Sequence, residues 1–432
     1  MERYEAYKDS GVEWIGEIPA NWSVGRIKDN CTVVAGATPK SDVAEYWDGD
    51  IPWITPADYS ETQHYVDGGS RSITGLGLNS CGTSLVPKGS VIVSNRAPIG
   101  LVSVASRSLC TNQGCKAVIP ASENIFSEYL YWYLLTQSET LNNFGRGTTF
   151  LELSTQALST FVYPCPPVIE QKAIADYLDA KTAEVDALVA DCEREIGLLR
   201  EYRKAVISEA VTKGLDPDAP MKDSGVEWIG EIPTNWGVRR IKSFLKLRDE
   251  RNSLPLEEVN LISLYTDLGV VQHSDLEKTT GNKAMTADGY KLVYENDIVV
   301  NIILCWMGAI GMSSYNGVTS PAYDVYIPND EVDPRYLHYL FRTTAFGGEC
   351  YKAGRGIMAM RWRTYSDQFK AITVPFPPLQ QQAAIADKLD NLTEQIEALI
   401  RAKQSMADKL REYRKSLISE AVTGKFKVPG VS

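Results

Sequence analysis

A chain of 432 residues is too long for one ordinary hydrophobic core, and the usual domain size divides it into roughly two to four packing units. Hydrophobic residues at 44% and charged residues at 23% exclude a disordered or fibrous class, and no apolar run approaches the roughly 18 to 20 residues of a membrane span. The net charge of −11 excludes a globally basic nucleic-acid binder: it is −6 over residues 1–163, −5 over 164–220, −2 over 221–374 and +2 over 375–432, so any grip on phosphate is local or shared with a partner.

The first stretch, MERYEAYKDSG, lacks the basic start and apolar core of a signal peptide, which points to a cytoplasmic protein. YKDSGVEWIGEIPANWSVGRIK (7–28) forms a lead-in whose Trp14 and Trp22 read as packing anchors. ATPK (37–40) and YWDGDIPWITPADY (46–59) read as a turn-rich loop before a strand. VPKGSVIVS (86–94) and VSVASRSLCTNQGCKAVIP (102–120) alternate β-branched residues and predict paired strands. NRAPI (95–99) and TNQG (111–114) are their connections, Tyr129 and Leu130 lie in a predicted helix, and Gly145-Arg146-Gly147 precedes TTFLELS (148–154).

A long helix is predicted next. The prolines of 164–167 fix its start, and Ile174, Leu178, Val185, Leu188, Cys192 and Leu199 form a coiled-coil seam interrupted by Lys181 and Glu195. KGLDPDAP (213–220) stops it. Some 40 helical residues make a rod of roughly 60 Å.

At residue 221 the chain restarts. MKDSGVEWIGEIPTNWGVRRIK (221–242), with Trp228 and Trp236, keeps eighteen of the twenty-two residues of the first lead-in. VYENDIVVN (293–301) falls on 86–94, IGMSSYNGVTSPAYDVYIP (310–328) on 102–120, Gly308 on Gly100, Tyr336-Leu337 on Tyr129-Leu130 and Gly354-Arg355-Gly356 on the first such triplet. A second helix follows: 375–423 aligns with 164–212 without a gap, at an offset of 211 against 214 for the lead-ins. Its predicted seam is Ile385, Leu389, Leu392, Ile396, Leu399, Lys403, Met406 and Leu410. Two copies of about 210 residues are too few and too long for a solenoid. The reading is an α+β protein with a pseudo-twofold internal repeat: two mixed α/β domains separated by two long antiparallel coiled-coil helices. Its segments are a first domain 1–163, helix 164–214, linker and second domain 215–374, helix 375–425 and a tail 426–432.

The frames match and the loops do not. NRAPI faces IILCWM (302–307), TNQG faces TSPA (319–322), and TTFLELS faces IMAMRWR (357–363), the pattern of a recognition surface on a common scaffold. Arg146 and Arg355, between glycines that let a ligand approach the backbone, suit phosphate or guanine edges, or equally a turn with a solvated arginine. Asn112 and Gln113 suit bidentate adenine contacts and are also common turn residues. Lys352, Arg355, Arg361 and Arg363 with Tyr351 and Trp362 form a basic cluster interleaved with aromatics. Lys40, Arg96, Thr148, Asn301, Trp306 and Ser320, on the same loops, complete the candidate DNA-contacting set.

No phosphate loop GxxxxGK[ST], GxGxxG turn, HExxH or GxSxG occurs, and CPPV and FPPL lack the Asn, Asp or Ser that precedes the two prolines in DNA amino-methyltransferases. The eight cysteines show no CxxC pair and suit reduced thiols; with histidines only at 64, 273 and 338, no metal site is expected. The chain is expected to do no chemistry itself.

Three repeated motifs, KDSGVEWIGEIP-x-NW, PP-x(3)-Q-x-AIAD-x-LD and L-REYRK-x(2)-ISEAVT, each present twice and in register, resemble the specificity subunit of type I restriction-modification systems over nearly the whole chain. The resemblance implies two target-recognition domains, each reading one half of a split, asymmetric site on double-stranded DNA, with the helices as a ruler for the unread spacer. It implies two modification (methyltransferase) subunits, which bring S-adenosylmethionine, and restriction subunits, which bring ATP- and Mg2+-dependent translocation and cleavage. No cofactor is expected in this chain and no membrane partner. The rival reading is a coiled-coil interaction scaffold without DNA specificity.

Overall fold

Pro166-Pro167 and Pro377-Pro378 follow the short strands Val162–Cys165 and Thr373–Phe376, and helices of 46 and 44 residues, Val168–Lys213 and Leu379–Val422, start directly behind them. Proline's locked φ and missing N–H are tolerated only there. The motif glutamines, Gln171 and Gln382, are fully buried. Each donates from Nε2 to a proline carbonyl, Pro166 and Pro377, at 2.9 Å. Each also accepts at Oε1 from a backbone N–H of its globular insert, Phe126 at 2.8 Å and Asp333 at 3.0 Å. The glutamine thus ties a helix start to a domain.

The computed structural model describes residues 2–60, 62–96, 98–146, 151–266, 268–275, 286–356 and 362–431. These form two compact units, Met1–Cys192 with Ser405–Ser432, and Glu193–Gln404. The division cuts both long helices, so each unit holds the first part of one and the last part of the other. Within each unit the two stretches run antiparallel. In the first, Arg414 Nε lies 2.9 Å from Asp186 Oδ1 and the ring of Phe426 lies 6.0 Å from that of Tyr177. In the second, Arg203 pairs with Glu397 and Lys403 with Glu195. Arg203 and Arg414 occupy equivalent positions 211 apart, as do Asp186 and Glu397.

The helix seam departs from the expected one at matching places. Ile174, Leu178, Val185 and Cys192 are buried, as are Ile385, Leu389 and Ile396, and Leu199, Leu392 and Leu410 are half-buried. Leu188, Leu399 and Met406 are exposed instead. The inward positions are taken by half-buried Val189 and buried Ile196 in one helix and by buried Ile400 and Ala407 in the other. Two steps of four residues therefore follow one another, at Val185–Val189 and Ile396–Ile400. The reason is geometric: at 3.6 residues per turn a strict seven-residue seam drifts by about 20° each heptad, and the extra step returns it to the facing helix.

In the first unit a five-stranded sheet runs in the order Cys31–Ala35, Cys115–Pro120, Val91–Asn95, Ile99–Ala105, Tyr65–Val66, antiparallel but for the last pair. Alternation sends Val91, Val93, Val102 and Val104 into a core with Trp132 and Leu178, and Ile92, Ala105 and Ala117 into a second cluster with Ile54 and Tyr59. In the second unit Leu245–Leu247, Tyr323–Pro328, Ile298–Asn301 and Ile310–Met312 form the corresponding sheet. Val93 faces Lys116, and Val300 faces Asp324, the register that the aligned repeats require.

The lead-ins are tight hairpins, Tyr7–Asp9 with Glu17–Pro19 and Met221–Asp223 with Glu231–Pro233. Asp9 and Asp223 accept from Gly11 and Gly225 at 2.9 Å, and Lys8 and Lys222 reach the carbonyls of Ala20 and Thr234 at 2.8 Å. Buried Trp22 donates to Glu170 at 2.8 Å, and Trp236 to Gln381 at 2.6 Å. Trp228 donates to the Thr373 carbonyl at 3.1 Å, and Trp14 stacks on Phe161. Residues 426–428 are more than a tail: Phe426 and Val428 are buried in the core of the first unit, and Lys427 N donates to Glu2 O at 2.8 Å.

Candidate functional site

Each sheet carries its divergent loops at one end. In the first unit the strand Val91–Asn95 lies beside an antiparallel bridge between Arg146 and Glu152, N to O at 3.1 and 3.0 Å, with Leu153 N donating to Asn95 O at 2.9 Å. Asn95, fully buried, donates from Nδ2 to Glu152 Oε1 at 2.9 Å. The other oxygen of Glu152 lies 3.3 Å from Arg96 Nη2, which reaches the Gln113 carbonyl at 3.4 Å. Gln113 accepts at Oε1 from Thr38. The ATPK loop runs hard against TNQG: a Cβ on Gly36 would sit 2.2 Å from the Asn112 carbonyl.

Arg96, Gln113 and Arg146 are thereby brought together. Asn112 uses its Oδ1 locally, accepting from Gly114 N at 2.8 Å, and Lys40 gives its carbonyl to Trp47 Nε1 at 3.1 Å. Thr148 lies outside the described residues. Three residues of this site were not among the expected ones: Asn95, Glu152 and Lys116. Lys116 is only 4% exposed, and burial pushes its ammonium below the ordinary lysine range, with Glu152 opposing and Arg96 adding to the effect. The one available signal was a lysine inside the otherwise apolar strand Cys115–Pro120.

In the second unit the equivalent bridge joins Arg355 and Arg363 at 2.9 and 3.0 Å, and Thr364 N donates to Ile302 O at 2.9 Å. Above it Trp362 stacks on Tyr351, centroids 4.7 Å apart, and Trp306 meets Tyr351 edge-on at 5.5 Å. A Cβ on Gly354 would meet Trp362 Nε1 at 2.3 Å, so the small residue admits the stack. Trp306, Arg355 and Arg363 are brought together here, while Arg361 lies outside the described residues. Lys352 is paired with Glu349 at 2.7 Å. Asn301, buried, accepts at Oδ1 from Ile303 N at 3.0 Å and so shapes the loop, and Ser320 Oγ accepts from Ala322 N at 3.3 Å. The first loop edge is hydrogen-bonded and charged; the second is aromatic and cationic.

The long helices carry a second candidate surface. Leu188 and Leu399 are equivalent, as are Tyr202 and Tyr413, and all four are exposed. In the second unit Leu399, Tyr202, Leu198 and Leu199 line a groove of about 350 Å³; in the first, Leu188 and Tyr413 are the corresponding residues. Large apolar side chains are thus left exposed at equivalent positions of both copies. A cavity of about 450 Å³ in the second unit lies under Trp236, Gln381 and Ile385. In the first unit Tyr4 lies against the equivalent residues, 5.8 Å from the Trp22 ring and 3.1 Å from Glu170.

The sequence model of the type I restriction modification DNA specificity domain matches this chain twice, over residues 19–195 and 233–405. The type I restriction enzyme MjaIX specificity subunit of Methanocaldococcus jannaschii is 35% identical over 252 residues, spanning 57% of this chain and 56% of that relative, little more than half its length. The MjaVIII specificity subunit of the same organism is 20% identical over 435 residues, 96% of this chain and 95% of that protein. The solved HsdS subunit from Thermoanaerobacter tengcongensis shares the fold, with a TM-score of 0.59 over 95% of this chain and 98% of that one at 17% identity. Among the described residues no helix is long and apolar enough to cross a membrane.

Proposed function

This chain belongs to the type I restriction modification DNA specificity family, and we propose that it directs a restriction-modification complex to a bipartite, asymmetric site on double-stranded DNA. Each domain reads one half-site with its loop edge, and the long helices set the spacer. The observation that carries this reading is the contrast between the two units: matching frames, with the hairpins, motif glutamines and helix-end tyrosines bonded alike, bearing unlike loop edges. Unlike edges read unlike half-sites, because contacts to base edges carry sequence information that phosphate contacts do not.

The chain is the non-catalytic part of its complex. Two modification subunits dock on the repeated Leu–Tyr faces, since a surface that recurs in both copies fits two copies of one partner. They bring S-adenosylmethionine, and restriction subunits bring ATP and Mg2+. Partners also supply phosphate contacts, which a chain of net charge −11 lacks in bulk.

The test is to map methylated adenines in DNA from a host expressing this chain with its modification partner. Two half-sites with a constant spacer are expected. Seven residues inserted within 180–200 or 391–411 keep the seam in phase and should lengthen the spacer while both half-sites persist. The same spacer with new half-site bases overturns the ruler, and a mobility shift without sequence preference would leave the scaffold reading.

A further inference from the structure

Resting on that reading, we infer that Arg96 and Glu152 form one specificity element that reads a single G·C base pair in the half-site of the first unit. Arg96 donates to guanine, and Glu152 accepts from the cytosine amino group.

The pair is held at its roots and open at its tip. The side chains are 40% and 45% exposed, with Nη2 and Oε2 3.3 Å apart. Beneath them Asn95 clamps Glu152 Oε1 at 2.9 Å, and the backbone of Leu153 is tied to Asn95. Asn95 Oδ1 and Arg96 Nε are buried without a hydrogen-bond partner. Polar groups left unsatisfied in a folded chain call for an explanation, and a surface completed by its ligand is one. Lys116, buried in the adjoining strand and paired in register with Val93, fills the sheet beside them.

A carboxylate on a DNA-facing surface is repelled by phosphate and is useful only where it meets a donor. In the major groove those donors are the amino groups of cytosine and adenine. The adjoining arginine decides between them. Its fork finds two acceptors, O6 and N7, only on guanine, and the cytosine amino group sits beside them in the same base pair. A donor and an acceptor side by side thus meet an acceptor and a donor side by side. The second unit lacks the pair: the register of the two bridges places Ile303 at the position of Arg96 and Arg363 at that of Glu152. The backbone pairings beside the strand recur in both units, whereas this element and its Asn95 clamp do not, as expected of a group that distinguishes one half-site.

The experiment is selection of bound sequences from random DNA by the complex with the modification partner, for wild type, Glu152→Gln and Arg96→Gln. Both variants should lose roughly ten- to a hundredfold discrimination at one and the same G·C pair of one half-site. The other half-site and the spacer should persist, which also reports a folded chain. If Glu152→Gln loses both half-sites, Glu152→Asp, with the charge kept and the reach shortened, should relax that same pair. Unchanged preferences, relaxation at two different base pairs, or a relaxed A·T pair each overturn the inference while leaving the two-half-site reading intact. A wild-type complex that selects no sequence overturns that reading itself.

Discussion

The hydroxyl of Tyr129 donates to the carbonyl of Val422, 293 residues later, at 2.9 Å, and lies 3.0 Å from that of Pro164. Tyr336 repeats the arrangement with Val211 at 2.9 Å and Pro375 at 3.4 Å. Both tyrosines are fully buried, so each fastens the end of one long helix and the strand before the other to its own domain. Tyr129→Phe and Tyr336→Phe each leave a helix-terminal carbonyl without this donor, at a cost of about 1–3 kcal/mol. Denaturant midpoints of the two units should fall separately, and the double variant should show the sum. Unchanged midpoints would remove the fastening role.

The shifted seam separates neighbouring leucine and isoleucine positions. Ile400→Ala and Ile196→Ala empty buried sites and should cost about 2–5 kcal/mol. Leu188→Ala and Leu399→Ala touch exposed side chains and should stay within about 0.5 kcal/mol of wild type. Thermal unfolding of the four single variants distinguishes this seam from the unshifted one, for which the ranking reverses at residues 399 and 400.

Docking on a repeated face makes stoichiometry the readout. Leu188→Ala with Tyr413→Ala should leave one modification subunit bound, Leu399→Ala with Tyr202→Ala likewise, and all four substitutions none. Mass measurement of the assembled complex decides; two subunits retained by the fourfold variant would place the interface elsewhere.

His338 is half-buried in the helix Pro334–Phe341 and accepts at Nδ1 from Met312 N at 3.2 Å. Burial, reinforced by Arg342, pushes its pKa from 6.5 down to about 3. The folded chain therefore holds it neutral while the unfolded chain protonates it, so the contribution is neutral above pH 6.5 and destabilising as pH falls from 6.5 towards 3. In that window wild type should lose about 1.4 kcal/mol per pH unit that His338→Gln does not lose. Parallel pH profiles of the two proteins would show that the imidazole titrates freely.

Much of this molecule is written locally. The duplication, the proline-started helices and the packing tryptophans of the lead-ins were legible because each depends on short-range backbone geometry or a repeating apolar pattern. Tyr129 and Tyr336 were legible as an aligned pair but not as fasteners, since their acceptors lie on distant segments. The same holds for Glu152, which reads as an ordinary loop carboxylate until the fold sets it against Asn95, 57 residues earlier. The burial of Phe426 and Val428 likewise depends on a cavity that only the folded first unit possesses. Sequence alone determined where each half begins, which segments are helical and which loops differ. Tertiary structure decided which residues of a helix face inward and which loop groups meet, because helical drift is corrected only against a facing helix, and a polar side chain takes its role from the partners that folding brings within 3 Å or so.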